Sequence, residues 1–414
     1  MRIFRDFYFN KASDNKKFCA ICILFFFDRL ELNKGPVLCY TKEKCAGGFL
    51  TGHAQYGLTL EDAMSDKYVA YVGSYTYIGK SKGITIFDVD LESGTLTRKG
   101  EIPCNNSSFM AISHSGKYLY SIIDEGLISY DILPDGMLKE KNKATIKGMR
   151  ACFIEIDPED RYIFVGGYHD GKLTALRLNE DGTVGEITAG IFHKGLGTAW
   201  RKTNRPRVNC VKISPEGKFV LAADGGTDHI KIYDFNHESG YLNQCDILRC
   251  ELNCSPKRIA FSSDGKYMYV VSEGLNYVAV YSYDGSGRRP VFELLQKVPT
   301  CDKKDTSISS ACSFMFSSDE SHVFVSNEGD NSICLYDRDR ESGLLTKRCA
   351  SPISGEFPKG ICVFPDDQHI CSVNNSSGTL TFFKIDYEKG LLIMSGKPIA
   401  VDEPNKCIMH KLAD

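Results

Sequence analysis

The chain has 414 residues, 42% of them hydrophobic and 11% aromatic, with 37 glycines and a formal net charge of −3. That composition supports an extensive core, excludes a disordered chain, and lacks the basic excess that a nucleic-acid partner requires. Seventeen cysteines are scattered without framework spacing, thirteen of them from Cys104 onward and mostly inside apolar runs such as those holding Cys152, Cys210, Cys334 and Cys362. Free thiols of this kind pack as small hydrophobes, and the pattern suits a reducing cytoplasm better than a disulfide scaffold.

The first 63 residues stand apart from the rest of the chain. Phe18 to Phe27 (FCAICILFFF) form an apolar run of ten behind Arg2, Arg5, Lys11, Lys16 and Lys17. A spanning helix needs roughly 20 residues, so no membrane association is expected. The run has the length of a signal-peptide core, but Asp28-Arg29 follows at once and no small-x-small cleavage site does. Cys19 and Cys22 have no second pair at zinc-site spacing. Met64, directly before SDKYVAYVGSYT, is the expected start, which makes residues 1–63 an upstream extension with little order.

From Tyr68 the chain becomes a series of short β-rich runs. YVAYVGSYT (Tyr68 to Thr76), ITIFDVD and TLTRKGEI read as three strands with no innermost strand ahead of them. The clearest unit is Pro206 to Leu242, where VNCVKIS, KFVLAAD and HIKIYDF are separated by Pro-Glu-Gly and Gly-Gly-Thr-Asp, and a fourth strand starts at Tyr241-Leu242. The Gly, Pro, Asp and Asn at each break supply the backbone angles of tight turns.

The third-strand signature of that unit occurs seven times, with turn glycines at 94, 136, 182, 240, 287, 343 and 390, spaced 42, 46, 58, 47, 56 and 47 residues apart. A second turn recurs six times, as HSGKYLYS, PEDRYIFV, PEGKFVLA, SDGKYMYV, SDESHVFV and PDDQHICS. One four-stranded sheet cannot bury both its faces alone, whereas radial stacking can, so this period marks a β-propeller. Seven copies predict an all-β fold of seven blades, each of four antiparallel strands. The last segment, EPNKCIMHKL (Glu403 to Leu412), looks like an innermost strand with no outer strands after it. Pairing it with the three N-terminal strands closes the ring and removes two open edges.

Innermost strands line the channel of a propeller, and the loops leading into them form one face. The residues at those positions are Ser107-Ser108, Arg150, Arg207-Val208-Asn209, Pro256-Lys257-Arg258, Ser310-Ala311, Pro358-Lys359-Gly360 and Asn405-Lys406. Five of the seven groups carry a cation in a chain of net negative charge, which points to an anion pocket. The plainer alternative is that these cations pair with nearby carboxylates. Asp224, Glu273 and Glu328 end the second strands of three successive blades. A carboxylate beside cations can serve as general base while the cations hold an oxyanion or a phosphate; otherwise these are ordinary turn residues.

Other chemistries find no support. There is no GxSxG elbow, HExxH, Walker A or strand-linked GxGxxG motif. His229 and His237 fall on a strand and a turn and read as structural, so no metal is expected. Gly225-Gly226-Thr227 lies between strands, not ahead of a helix, and does not make a phosphate loop.

YVGSYT with GITIFDVDLESGTL, SPEGKFVLAADGGTDHIKIYDF and PKRIAFSSDGKYMYVVSEGLNYVAVY resemble the seven-bladed lactonase family, from about Lys67 to Leu412. That family includes bacterial propeller-type 6-phosphogluconolactonases and fungal carboxy-cis,cis-muconate cyclases. The resemblance implies an active site with a Glu, here Glu273. The family's His falls on Asn209, its G-P-R-H run is Ser255-Pro256-Lys257-Arg258, its later Arg is Glu328, and a P-R-G pattern survives as Pro358-Lys359-Gly360. Lysine keeps the point charge but not the bidentate fork of arginine.

On this resemblance the expected activity is hydrolysis of a small anionic sugar lactone without metal or organic cofactor. Glu273, Lys257, Arg258 and Asn209 would act at the lactone. Arg207, Arg150, Glu328, Lys359, Lys406 and Asp224 would surround the substrate. The alternatives are a propeller that binds an anion or a protein partner without turnover, and a muconate-cyclase-like lyase or isomerase.

Overall fold

A computed structural model describes residues 66–197, 205–302 and 308–412; the expectations for residues 1–63 lie outside them. Among the described residues, 28 strands form seven antiparallel four-stranded sheets, and no sheet contains a helix.

The first blade is assembled from both ends of the propeller. Its order is β28 (Pro404–Lys411), β1 (Tyr68–Ser74), β2 (Gly83–Asp90) and β3 (Thr95–Pro103). The other six run outward in chain order. The second blade is β4 (Met110–Ile112), β5 (Tyr118–Ile123), β6 (Gly126–Ile132) and β7 (Leu138–Thr145). The third is β8 (Phe153–Ile156), β9 (Tyr162–Gly166), β10 (Lys172–Leu178) and β11 (Val184–Phe192), and the fourth is β12 (Val208–Ile213), β13 (Phe219–Asp224), β14 (His229–Phe235) and β15 (Leu242–Arg249). The fifth is β16 (Pro256–Phe261), β17 (Tyr267–Ser272), β18 (Tyr277–Asp284) and β19 (Val291–Pro299). The sixth is β20 (Ser310–Phe316), β21 (His322–Glu328), β22 (Ser332–Arg338) and β23 (Leu345–Pro352), and the seventh is β24 (Pro358–Val363), β25 (His369–Asn374), β26 (Thr379–Asp386) and β27 (Leu391–Ala400).

The ring closes where the sequence places the closure: β28 pairs with β1 from Tyr68↔Lys411 to Ser74↔Pro404. Every third-strand signature falls on a third strand, from β2 to β26. The six recurrent second turns join first to second strands in blades two to seven; the first blade has none because its first strand comes from the far end of the chain.

Burial follows position in the ring. Each sheet is covered on both faces by its neighbours, so middle strands are largely buried: β13 (FVLAAD) and β25 (HICSVN) are buried at every residue. Outer strands lie at the rim and alternate, as in β15 (LNQCDILR), where only Leu242 is buried. In the first, third and fifth blades a buried second-strand tyrosine ties the blade to the next. Tyr71 Oη donates to the Gly136 carbonyl at 2.8 Å, and Tyr269 Oη to that of Gly343 at 2.7 Å. Tyr162 Oη reaches the carbonyls of His237 and Glu238 at 3.0 Å. A buried hydroxyl needs such a partner, and the carbonyls of the third-to-fourth strand turns supply it.

Among the described residues the thirteen cysteines are free thiols, and no helix is long and apolar enough to cross a membrane.

Candidate active site

The loops into the inner strands and the turns from second to third strands share one face of the ring. A cavity of ≈ 690 Å³ opens there, lined by residues of all seven blades. Its lining mixes apolar side chains, among them Phe153, Phe261, Phe314 and Phe316, with charged ones.

A backbone irregularity aims several of these side chains. In the fifth blade Pro256 pairs with Ser272 and Arg258 with Val271, so Lys257 is the extra residue of a β-bulge. The same skip falls on Asn209 in the fourth blade, Lys359 in the seventh and Asn405 in the first. A bulge bends the strand and redirects its side chain, a device common beside functional sites. Lys257, Lys359 and Asn405 thereby line the cavity.

Lys257 and Glu273 form its central pair. Lys257 Nζ lies 3.2 Å from Glu273 Oε1, with side-chain exposures of 16% and 21%. Ser255 Oγ donates to Glu273 Oε2 at 3.3 Å. The loop ahead of β16 is held in an unusual shape, with Asn253 (φ 68°) and Ser255 (φ 48°) in the left-handed region. The Asp228 carboxylate holds it there, accepting the Asn253 and Ser255 N–H groups at 2.9 and 2.8 Å. Burial lowers the Lys257 pKa, but the charges of Glu273 and Glu328 more than offset this and hold it above the ordinary lysine value. Lys257 is therefore a permanent cation beside the carboxylate.

The other cations rest on aromatic faces. The Arg258 guanidinium lies 5.7 Å from the Phe109 ring centroid and 5.1 Å from that of Phe153, and donates to the Asn209 carbonyl at 3.2 Å. Lys406 Nζ is 5.3 Å from Phe109, and Lys359 Nζ is 4.8 Å from Tyr75. Arg150 stacks on Tyr75 at 4.9 Å and pairs with Asp124 at 3.2 Å. Burial pulls both Lys359 and Lys406 below the ordinary lysine value; Glu328 opposes it at Lys359, and Arg258 adds to it at Lys406. A desolvated cation without a close carboxylate is stabilised by an incoming anion.

Of the ten residues singled out from the sequence, Glu273, Lys257, Arg258, Arg150, Glu328, Lys359 and Lys406 line this cavity. Three do not. Asn209 is buried, its amide donating to the Pro256 carbonyl at 3.1 Å, so it supports the loop carrying Lys257 rather than facing a lactone. Asp224 is fully buried beside His193 at 2.8 Å and accepts the backbone N–H of Arg207, Gly226 and Thr227. That is a turn-organising role, since all its lone pairs are directed into the protein. Arg207 contacts the rim indirectly, donating to Tyr168 Oη at 2.9 Å.

Tyr75, Tyr168, His169, Cys152 and Cys312 also line the cavity and were not foreseen. Tyr75 follows β1, and Tyr168-His169 follow β9, just as Glu273 follows β17. Extending the strand-end reasoning from carboxylates to every polar residue at that position would have found Tyr75, Tyr168 and His169. Burial, and then the charges of Arg150 and Arg205, hold His169 below the ordinary histidine value. Burial and Glu328 push the Cys312 thiol up to about 12, so it is no nucleophile.

The family model for "Lactonase, 7-bladed beta-propeller" matches residues 69–409. The chain belongs to this lactonase family. It is 28% identical over 344 residues to the 6-phosphogluconolactonase of Bacillus subtilis, covering 82% of this chain and 97% of that protein. It is 27% identical over 335 residues to the 6-phosphogluconolactonase of Formosa agariphila, covering 78% and 94%. Among solved structures, the periplasmic gluconolactonase of Pseudomonas aeruginosa superposes with a TM-score of 0.78 at 22% identity, covering 84% of this chain and all of that one, which speaks for the fold. Within the lactonase family fold, the cavity lies on the face formed by inner-strand starts, where the bulges concentrate charge.

Proposed function

We propose that the protein hydrolyses a sugar lactone, 6-phosphogluconolactone, to the open acid, the lactone-opening step of the pentose phosphate pathway. The observation that carries this reading is the Lys257–Glu273 pair at 3.2 Å inside a cavity ringed by cations. Glu273 takes a proton from the attacking water. Lys257 and Arg258 stand where negative charge develops on the carbonyl oxygen, and preorganised donors of this kind are worth about 3–4 kcal/mol each. Lys359, Lys406 and Arg150 hold the phosphate. No step calls for a cofactor.

One observation favours a second reading, anion binding without turnover. Both Glu273 oxygens are already engaged, Oε1 by Lys257 and Oε2 by Ser255, before any water arrives. Hydrolysis of freshly generated 6-phosphogluconolactone by the purified chain, beside Glu273→Gln, separates the two. Turnover well above the spontaneous rate that disappears in the variant supports hydrolysis. Binding without turnover above the spontaneous rate in either protein supports the second reading.

A further inference from the structure

Ring opening of a lactone needs a proton as well as a base. Once water has added to the carbonyl carbon, the ring C–O bond breaks and its electron pair leaves on oxygen. An aliphatic alkoxide is too basic to depart unassisted. Glu273 stands on the attacking side, and Lys257 and Arg258 near it are committed to charge stabilisation.

Tyr75 occupies the equivalent place on the far wall. Ser74 pairs with Pro404 in the first blade as Ser272 pairs with Pro256 in the fifth, so Tyr75 and Glu273 follow matched positions. The blades lie three apart around a ring of seven, which puts phenol and carboxylate on opposing walls of one cavity. The ring is fixed in place: Arg150 lies 4.9 Å from its centroid and Lys359 Nζ 4.8 Å. The backbone is tied down on both sides, with Tyr75 N donating to the Glu403 carbonyl at 3.1 Å and Thr76 N to Asn106 Oδ1 at 2.7 Å. Burial raises the phenol pKa, so the group enters the reaction protonated.

We infer that Tyr75 is the proton donor to the departing ring oxygen, a role that rests on the lactonase reading of the site. Water bonds to the carbonyl carbon and gives its proton to Glu273. The ring C–O bond breaks and the leaving oxygen takes the proton of Tyr75. The phenolate, held by Arg150 and Lys359, recovers a proton from Glu273 through water, so that lactone and water become hydroxy acid with nothing left over.

The test compares the full chain with Tyr75→Phe on 6-phosphogluconolactone, which expels an alkoxide, and on dihydrocoumarin, which expels a phenolate that needs no proton. Phenylalanine keeps the aromatic face for both cations. We expect kcat on the sugar lactone to fall by on the order of 100-fold with KM little changed, and the dihydrocoumarin rate to survive. Equal loss on both substrates, or none on the sugar lactone, overturns the assignment. If the wild type ignores dihydrocoumarin, Tyr75→His decides, since a different proton donor should restore part of the activity; no recovery over Tyr75→Phe in a folded protein overturns it too. If the wild type hydrolyses neither lactone, the lactonase reading itself falls, an outcome distinct from an active wild type matched by its variant.

Discussion

Removing either member of the Lys257–Glu273 pair should cost stability, and removing both should return much of it. At 3.2 Å and an effective dielectric of about 20, the attraction is about 5 kcal/mol. Desolvation of two ions offsets most of that. Breaking a fully buried pair costs about 3–5 kcal/mol; with exposures of 16% and 21%, a discounted cost of about 2–4 kcal/mol is expected for Lys257→Met alone. For a propeller of this size the unfolding entropy converts each kcal/mol to roughly 1.5 °C in Tm, so the single variant should melt roughly 3–6 °C lower. Calorimetry of Lys257→Met, Glu273→Gln and the double variant completes the cycle. The double variant should melt above Lys257→Met, because the stranded carboxylate is gone. Strictly additive losses would refute the idea that the two charges hold each other.

Two further expectations concern the fold. Deleting residues 404–412 leaves β1 as an open edge and strips the first blade of its inner strand, so the cooperative melting transition should be lost; an unchanged Tm would sink the ring-closure argument. Acid should destabilise the protein below neutrality. His169, His193, His229, His322 and His410 all lie below the ordinary value of 6.5, mainly through burial. The unfolded chain then binds more protons than the folded one, so stability present above pH 6.5 is lost as pH falls through the folded values. The urea midpoint should be lower at about pH 5.5 than at about pH 7.5; a midpoint that rises on acidification contradicts this.

The fold was legible because its punctuation is local. Turn glycines 94 to 390 recur once per blade, and the missing first strand of the first blade has its counterpart in EPNKCIMHKL. The cations were legible for the same reason, since they sit at the starts of inner strands. The direction of each side chain was not. Lys257 and Asn209 hold the same bulge position in adjacent blades, yet one faces the cavity and the other turns its amide onto Pro256. What separates them is the neighbouring blade, which no run of sequence contains. Asp224 and Glu273, which look equivalent in sequence, are one residue out of register: Asp224 pairs with Val208 as Ser272 pairs with Pro256, so Asp224 is the last paired residue of its strand and its carboxylate meets the buried His193.

The strand that shuts the ring also brings Asn405 and Lys406 to the cavity. Domains are usually made and folded from the N-terminal side, but here β1 must wait for a partner encoded at the other end of the propeller. A growing chain can stack blades two to seven and still hold an unfinished binding site with a loose three-stranded flap beside it. Completion of the ring and of this cavity thus arrive in a single docking event, which leaves the growing chain with a raw strand edge for most of synthesis.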